Sequence, residues 1–198
     1  MENKTDRRRT REKDALVKKE KEELKKYGCD DYIIQHGQLV MGVSEKIVKE
    51  LMRVGVKVDE KAILRGALLH DIGRSKEHSV RHGFLGGEIL RKDGYDGIII
   101  SIVENHVGGG IDKQDCAKLG MPERDFIPIS LEEKIVCLAD KYVEENQIKP
   151  LQETLSKFDE ILGNGNMANK GILKIKKEIE FLIKKRIESI INGDQKRL

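Results

Sequence analysis

Ala67-Leu68-Leu69-His70-Asp71-Ile72-Gly73-Arg74 sets a histidine and an aspartate side by side at the end of an apolar helical run. An ionised carboxylate among so many apolar residues needs a partner, because burying it unpaired is costly. A metal ion or a cationic side chain would satisfy it. All five histidines of the chain lie between residues 36 and 106, on both sides of this stretch. The question the sequence poses is whether they meet.

Helical spacing says that they do. His36 stands three residues after Ile33 and four before Val40, on the inward face of its helix. His82 precedes Leu85 by three and Ile89 by seven. His106 follows Ile99, Ile102 and Val103 at seven, four and three. Asp140 follows Val136 by four and precedes Val143 by three. One such histidine is commonly a hydrogen-bonded core residue. Six imidazoles and carboxylates from five helices of one small domain predict a metal site in a helical core. The mixed His/Asp donor set, with no cysteine in it, suits one or two divalent ions of Mn, Fe, Ni, Co or Zn rather than a structural zinc clip. Asp71, beside His70, can bridge two ions.

The rest of the chain reads as helix after helix, an all-α bundle. A charged helix is expected over Lys13–Tyr27, ended by Gly28. A second, capped by Asp30 or Asp31, runs to about Val54. A third, capped by Asp59, runs to about Leu69 and is broken by Gly73. Ser79 is expected to open a fourth, closed by Gly94, and Asp96 a fifth. Gly108 to Pro128 reads as a long irregular connection, of the kind that often forms a functional lid. Ser130-Leu131-Glu132-Glu133 has the form of a capping box. Pro150 begins a helix to Leu162, and one final helix is expected from about Ala168 to Ile191. No run alternates convincingly enough for a strand. The organisation expected is a charged N-terminal tail or helix over 1–24, a metal-binding domain over 25–148 and a helical extension over 149–198 that packs on the same domain.

His36, His70-Asp71 and Asp140 resemble the H…HD…D pattern of the HD-domain phosphohydrolase superfamily, in its HDIG form. The runs "HDIGRSKEHSVRHGFLGGEIL" and "ENHVGGGI" are similar to those of small uncharacterised archaeal HD-domain proteins. The resemblance covers roughly residues 25–145. It implies an all-helical domain with a central metal site. His36, His70, Asp71 and Asp140 would be the shared metal ligands, and His82 and His106 would serve a second ion. Asp71 would hold the metals and could accept a proton. Arg74 stands where many members carry lysine and could hold a phosphate oxygen in bidentate fashion. His78, four before His82, would share a helical face with it and could touch substrate. Lys76 and Arg81 add to this basic cluster. Glu104, two before His106, could orient a ligand or carry a proton, but is expected to be an exposed helix residue.

The activity implied is hydrolysis of a phosphomonoester, phosphodiester or phosphoanhydride in a small nucleotide-like molecule. Two other classes fit the ligand set: a di-iron oxygenase on an organic substrate, and a non-catalytic metal- or nucleotide-binding regulator. No GYP run follows the core, which argues against a cyclic dinucleotide phosphodiesterase.

Composition sets the outer limits. The chain has 198 residues, 37% of them charged, with no tryptophan and a formal charge of +3. Residues 1–28 hold eleven Lys/Arg and seven Asp/Glu, with Arg7-Arg8-Arg9 and Arg11 reading as a mobile basic tail or frayed helix start. Without an accompanying aromatic patch this does not point to nucleic acid as a partner. No apolar stretch reaches the roughly 18 residues of a membrane span. The N-terminus has no signal-peptide core. Cys29, Cys116 and Cys137 lack CxxC spacing and fit a reducing, cytoplasmic setting. Association of copies through the last amphipathic helix stays open, with packing on its own domain expected.

Overall fold

The computed structural model describes residues 4–192, with side chains from residue 7 onward. Among the described residues the fold is helical, with one two-residue antiparallel hairpin. In chain order the elements are α1 (Lys4–Lys26), α2 (Asp31–Arg53), α3 (Glu60–Leu69), a 3-10 turn (Ile72–Ser75), α4 (His82–Lys92), α5 (Gly97–Asn105), α6 (Lys113–Lys118) and α7 (Leu131–Asp140). They continue with β1 (Val143–Glu144), β2 (Gln147–Ile148), α8 (Leu151–Leu162), α9 (Met167–Ile183) and α10 (Ile187–Asn192). Val143 pairs with Ile148 and Glu144 with Gln147. No described helix is long and apolar enough to cross a membrane.

α2 is the axis of the bundle. The Asp30 carboxylate accepts from Ile33 N at 2.9 Å and so starts the helix. Its apolar stripe, Val40, Val43, Ile47, Val48 and Leu51, is fully buried. α3 and α7 pack on α2, α5 packs on α3 and α7, and α4 packs on α5. α3 starts with Ala62 N on the Asp59 carboxylate. α7 starts with the full capping box: Ser130 Oγ accepts from Glu133 N while the Glu133 carboxylate accepts from Ser130 N. Ile172, Ile175, Ile179, Ile183, Ile187 and Ile191 join the same buried cluster as the helices of the site.

Several expectations are corrected. α1 begins at Lys4, so of the two readings of the arginine run the helix start holds and the mobile tail does not; residues 1–3 lie outside the described residues. Arg9 pairs with Glu60, and Lys13 reaches Glu45 at 2.6 Å, which holds this stretch along α2 and α3. Further along α1, buried Glu20 binds Arg65 at 2.6 Å and the Tyr95 hydroxyl at 2.7 Å. The 108–128 connection is not wholly irregular. It contains α6, capped by Asp112, and a small apolar cluster of Cys116, Met121 and Phe126 with Phe84 and Ile111 packed on it. The final helix is two helices. The backbone turns at Lys184, which adopts φ 54°, ψ 35°.

Candidate metal centre

The six expected ligands come together. His36 Nε2 donates to Asp140 Oδ1 at 2.9 Å, and His70 Nε2 lies 3.4 Å from the same oxygen. Asp71 stands between two groups. Its Oδ2 lies 3.7 Å from His70 Nε2 and 3.9 Å from His36 Nε2. Its Oδ1 lies 3.1 Å from His82 Nε2 and 3.6 Å from His106 Nε2. One carboxylate thus offers one oxygen to a half made of His36, His70 and Asp140, and the other to a half made of His82 and His106.

Local structure aims the rings. His70 caps the end of α3 and its Nδ1 donates to Ala67 O at 2.8 Å. His106 caps the end of α5 and its Nδ1 donates to Val103 O at 2.7 Å. Each histidine therefore satisfies a carbonyl at a helix end and fixes its own tautomer. His82, the first residue of α4, does the same through Nδ1 to Ser79 O at 2.6 Å. Carbonyl oxygens only accept, so all three Nδ1 atoms carry hydrogen and each neutral ring presents Nε2 as a lone pair. His82 Nε2 and His106 Nε2 then face one another at 3.0 Å. Two lone pairs so placed repel unless a cation or a proton lies between them. His70 Nε2 and Asp71 Oδ1 are buried without a hydrogen-bond partner. A divalent ion fits this donor set: the atoms of His36, His70 and Asp140, and those of His70, Asp71 and His106, each lie within 4.8 Å of one another.

Charge balance follows from the neighbours. Burial pushes the Asp71 carboxyl up, but the His70 charge and the closeness of the His106 and His82 rings outweigh it and hold the group well below the ordinary carboxylate range. Asp140 is likewise pushed up by burial and held well below that range by Lys141, His36 and His70. His70 loses affinity for protons by burial, yet the Asp71 and Asp140 carboxylates raise it above its ordinary value. Burial pushes His106 down to about 3, so it is a neutral ligand at ordinary pH.

Lys141 escaped the sequence reading. It is only 7% exposed and its Nζ pairs with Asp140 Oδ2, which leaves Oδ1 for His36 and His70. Its place beside Asp140 at an apolar helix end was the available signal. Arg74 binds Asp71 Oδ2 through Nε at 2.7 Å, one turn after it. The two carboxylates of the site thus each carry one cation. Arg74, His36 and Asp140 are each partly exposed, whereas His70, His82 and His106 are buried. His78 departs from expectation. Ser79 opens a turn rather than α4, which starts at His82, so His78 lies in an exposed bend and shares no helical face with it. Gly73 does not break α3, which ends at Leu69. It allows the 3-10 turn to press against α4: a Cβ there would lie 1.9 Å from His82 O. Glu104 is buried rather than exposed.

The HD-domain family model matches residues 33–144, more than half of the chain and the whole span of the six ligands. The chain belongs to the HD-domain family. Members are typically metal-dependent hydrolases. An uncharacterised protein of Methanocaldococcus jannaschii is 36% identical over 156 residues, which cover 79% of this chain and 92% of that protein. A tRNA (cytidine(56)-2'-O)-methyltransferase of Picrophilus torridus is 38% identical over 161 residues, 80% of this chain but 44% of the enzyme. A ribonuclease Y of Mesoplasma florum is 36% identical over 91 residues, 44% of this chain and 18% of the enzyme. The chain therefore spans less than half of either of these two enzymes. No solved structure matches it.

Proposed function

We propose that this HD-domain chain is a metal-dependent phosphohydrolase that cleaves a phosphate ester or anhydride of a small nucleotide-like molecule. The observation that carries the reading is the set of buried, mutually facing acceptors: His70 Nε2 and Asp71 Oδ1 without partners, and His82 Nε2 opposite His106 Nε2 at 3.0 Å. His36, His70, Asp71 and Asp140 would hold one divalent ion, and Asp71, His82 and His106 a second. Bound ions of this kind supply a water acidified toward neutral pH and polarise a phosphoryl oxygen.

The protein's own groups supply the rest. Asp71 holds the two halves in register. Lys141 turns Asp140 so that one oxygen faces the site. Arg74 is partly exposed and makes no other ion pair among the described residues, so its remaining N–H groups can take a phosphate oxygen. His78, in the exposed bend, could reach only a substrate that extends out of the site. Specificity would come from the 108–128 connection and the helices after Pro150.

A second reading places an RNA phosphodiester in the site. It is favoured by the relatives named as a tRNA methyltransferase and ribonuclease Y. Lys76, His78 and Arg81 beside Arg74 would then follow the strand. One experiment separates these: hydrolysis of mononucleotides, dinucleotides and short RNA by the Mn-loaded chain, with and without oxygen, beside Asp71→Ala. Hydrolysis of a mono- or dinucleotide that needs Mn, does not need oxygen and is lost in Asp71→Ala is the expected result, and cleavage of the short RNA alone would favour the second reading. Full turnover in Asp71→Ala, or an oxygen-dependent product, would overturn it.

A further inference from the structure

Glu104 has no part in the ligand set, yet it is 5% exposed and lies on α5 just before His106. Its Oε1 accepts from Arg91 Nη2 of α4 at 3.0 Å and forms an ion pair with Arg124 Nη2 of the 108–128 connection at 2.7 Å. The Arg124 guanidinium lies 3.9 Å from the centroid of Phe126. That ring meets Phe84, two residues after His82, edge-on at 6.1 Å. One carboxylate therefore ties α4, α5 and the connection together around the two helices that carry His82 and His106. α4 admits it only because residue 87 is glycine: a Cβ there would fall 2.3 Å from Glu104 Cγ. Among the described residues, the ion pairs of Glu104 reach α4 and the connection, and not α2 or α7, which carry His36 and Asp140.

We propose that Glu104 is a positioning residue that sets the approach of His82 to His106, and thereby the affinity of that half of the site for its ion. The inference rests on the two-ion reading above. Partners that orient metal ligands from outside the coordination sphere are worth about 10- to 100-fold in metal affinity. Loss of Glu104 leaves no charge stranded in the core, because Arg91 and Arg124 are each about half-exposed and can turn to water.

The test is a titration of metal-stripped protein with Mn, followed by calorimetry and by electron paramagnetic resonance, on the wild-type chain, Glu104→Ala, Glu104→Gln and Arg124→Ala, with thermal midpoints alongside. The wild-type chain should take up two equivalents. Glu104→Ala should keep one equivalent at wild-type affinity and bind the other about 10- to 100-fold more weakly. Glu104→Gln keeps an acceptor oxygen for both arginines and should lie closer to wild type. If Glu104→Ala fails to fold, Arg124→Ala, a half-exposed change, should show a smaller loss confined to the same ion. Two equivalents at wild-type affinity in folded Glu104→Ala, or equal weakening of both ions with a falling midpoint, would overturn the proposal. A single equivalent in the wild-type chain would instead overturn the two-ion reading itself.

Discussion

Gly73→Ala puts the seating of α4 to a direct test. A Cβ at residue 73 would lie 1.9 Å from His82 O and 2.6 Å from Gly86 N. Both are backbone atoms, so no side-chain rotation relieves the clash. The first contact must open from 1.9 Å to at least 3.0 Å, the lower limit for a real Cβ, a displacement of about 1.1 Å. His82 Nε2 now lies 3.1 Å from Asp71 Oδ1, on the other side of the same junction. Metal–ligand distances tolerate only about 0.2 Å, so a shift of that size removes His82 as a ligand. Overpacking of this kind costs about 1–3 kcal/mol. The expected result is a thermal midpoint lower by several degrees and at least a tenfold weaker second ion, with the His36–His70–Asp140 half retained. Gly42→Ala is the control. Its Cβ would meet nothing within 4 Å, and Gly to Ala inside α2 should stabilise by about 0.5–1 kcal/mol. A Gly73→Ala protein that keeps its midpoint and both Mn affinities would refute the reasoning.

Other outcomes follow from the buried charges. Lys141→Met leaves Asp140 without its cation and should cost the metal-stripped protein about 3 kcal/mol, read as a fall of about 6–12 °C in thermal midpoint. Added Mn should recover much of this, since an ion replaces the lost positive charge; an unchanged midpoint in chelator would count against the pairing. Metal uptake should depend on pH through His70. Its proton affinity in the stripped protein is raised above the ordinary 6.5 by Asp71 and Asp140, so the ion must displace a proton, and Mn affinity should climb as pH rises through that raised value. Below 6.5 the same proton stabilises the stripped protein, a contribution lost as pH rises through the folded value. Affinity that does not rise as pH is raised from 6.5 would contradict this. Asp71 and Asp140 act in the opposite sense. Their depressed values stabilise the fold above about 3.8, and that stabilisation is lost as pH falls through the folded values, which acid unfolding followed by circular dichroism would register.

What could be read from the chain was what burial periodicity encodes. His36, His106 and Asp140 stand at helical intervals from Val40, Val103 and Val136, and those intervals suffice to turn them inward. Asp30, Asp59 and Ser130 announced their helices because a cap is a local interaction. The failures are non-local. Glu104 is charged on a helix and so reads as solvated, yet its partner Arg124 arrives only after α6. Lys141 looks like the end of a surface helix until Asp140 is seen to need it. Ser79 has the chemistry of a cap, but its hydroxyl closes a turn with Glu77 and Arg81 N, and α4 starts at His82. The stripe Ile179, Ile183, Ile187 and Ile191 continues at spacings of four across Lys184, and nothing in that stripe marks the left-handed residue that divides α9 from α10.

The isoleucines of α9 and α10 set the size of the unit that can move between proteins. The family match ends at residue 144, but Leu24 of α1 and Ile172, Ile175 and Ile179 of α9 lie in the same buried cluster as Val136 and Leu138 of α7. The Tyr142 hydroxyl meets Glu188 at 2.9 Å, and Lys46 Nζ donates to Ile191 O at 2.8 Å. A graft limited to residues 33–144 would carry every ligand and leave the back of the ligand helices open to water. A fusion or transplant that preserves this metal centre would therefore need to take the first helix and the last two along with it.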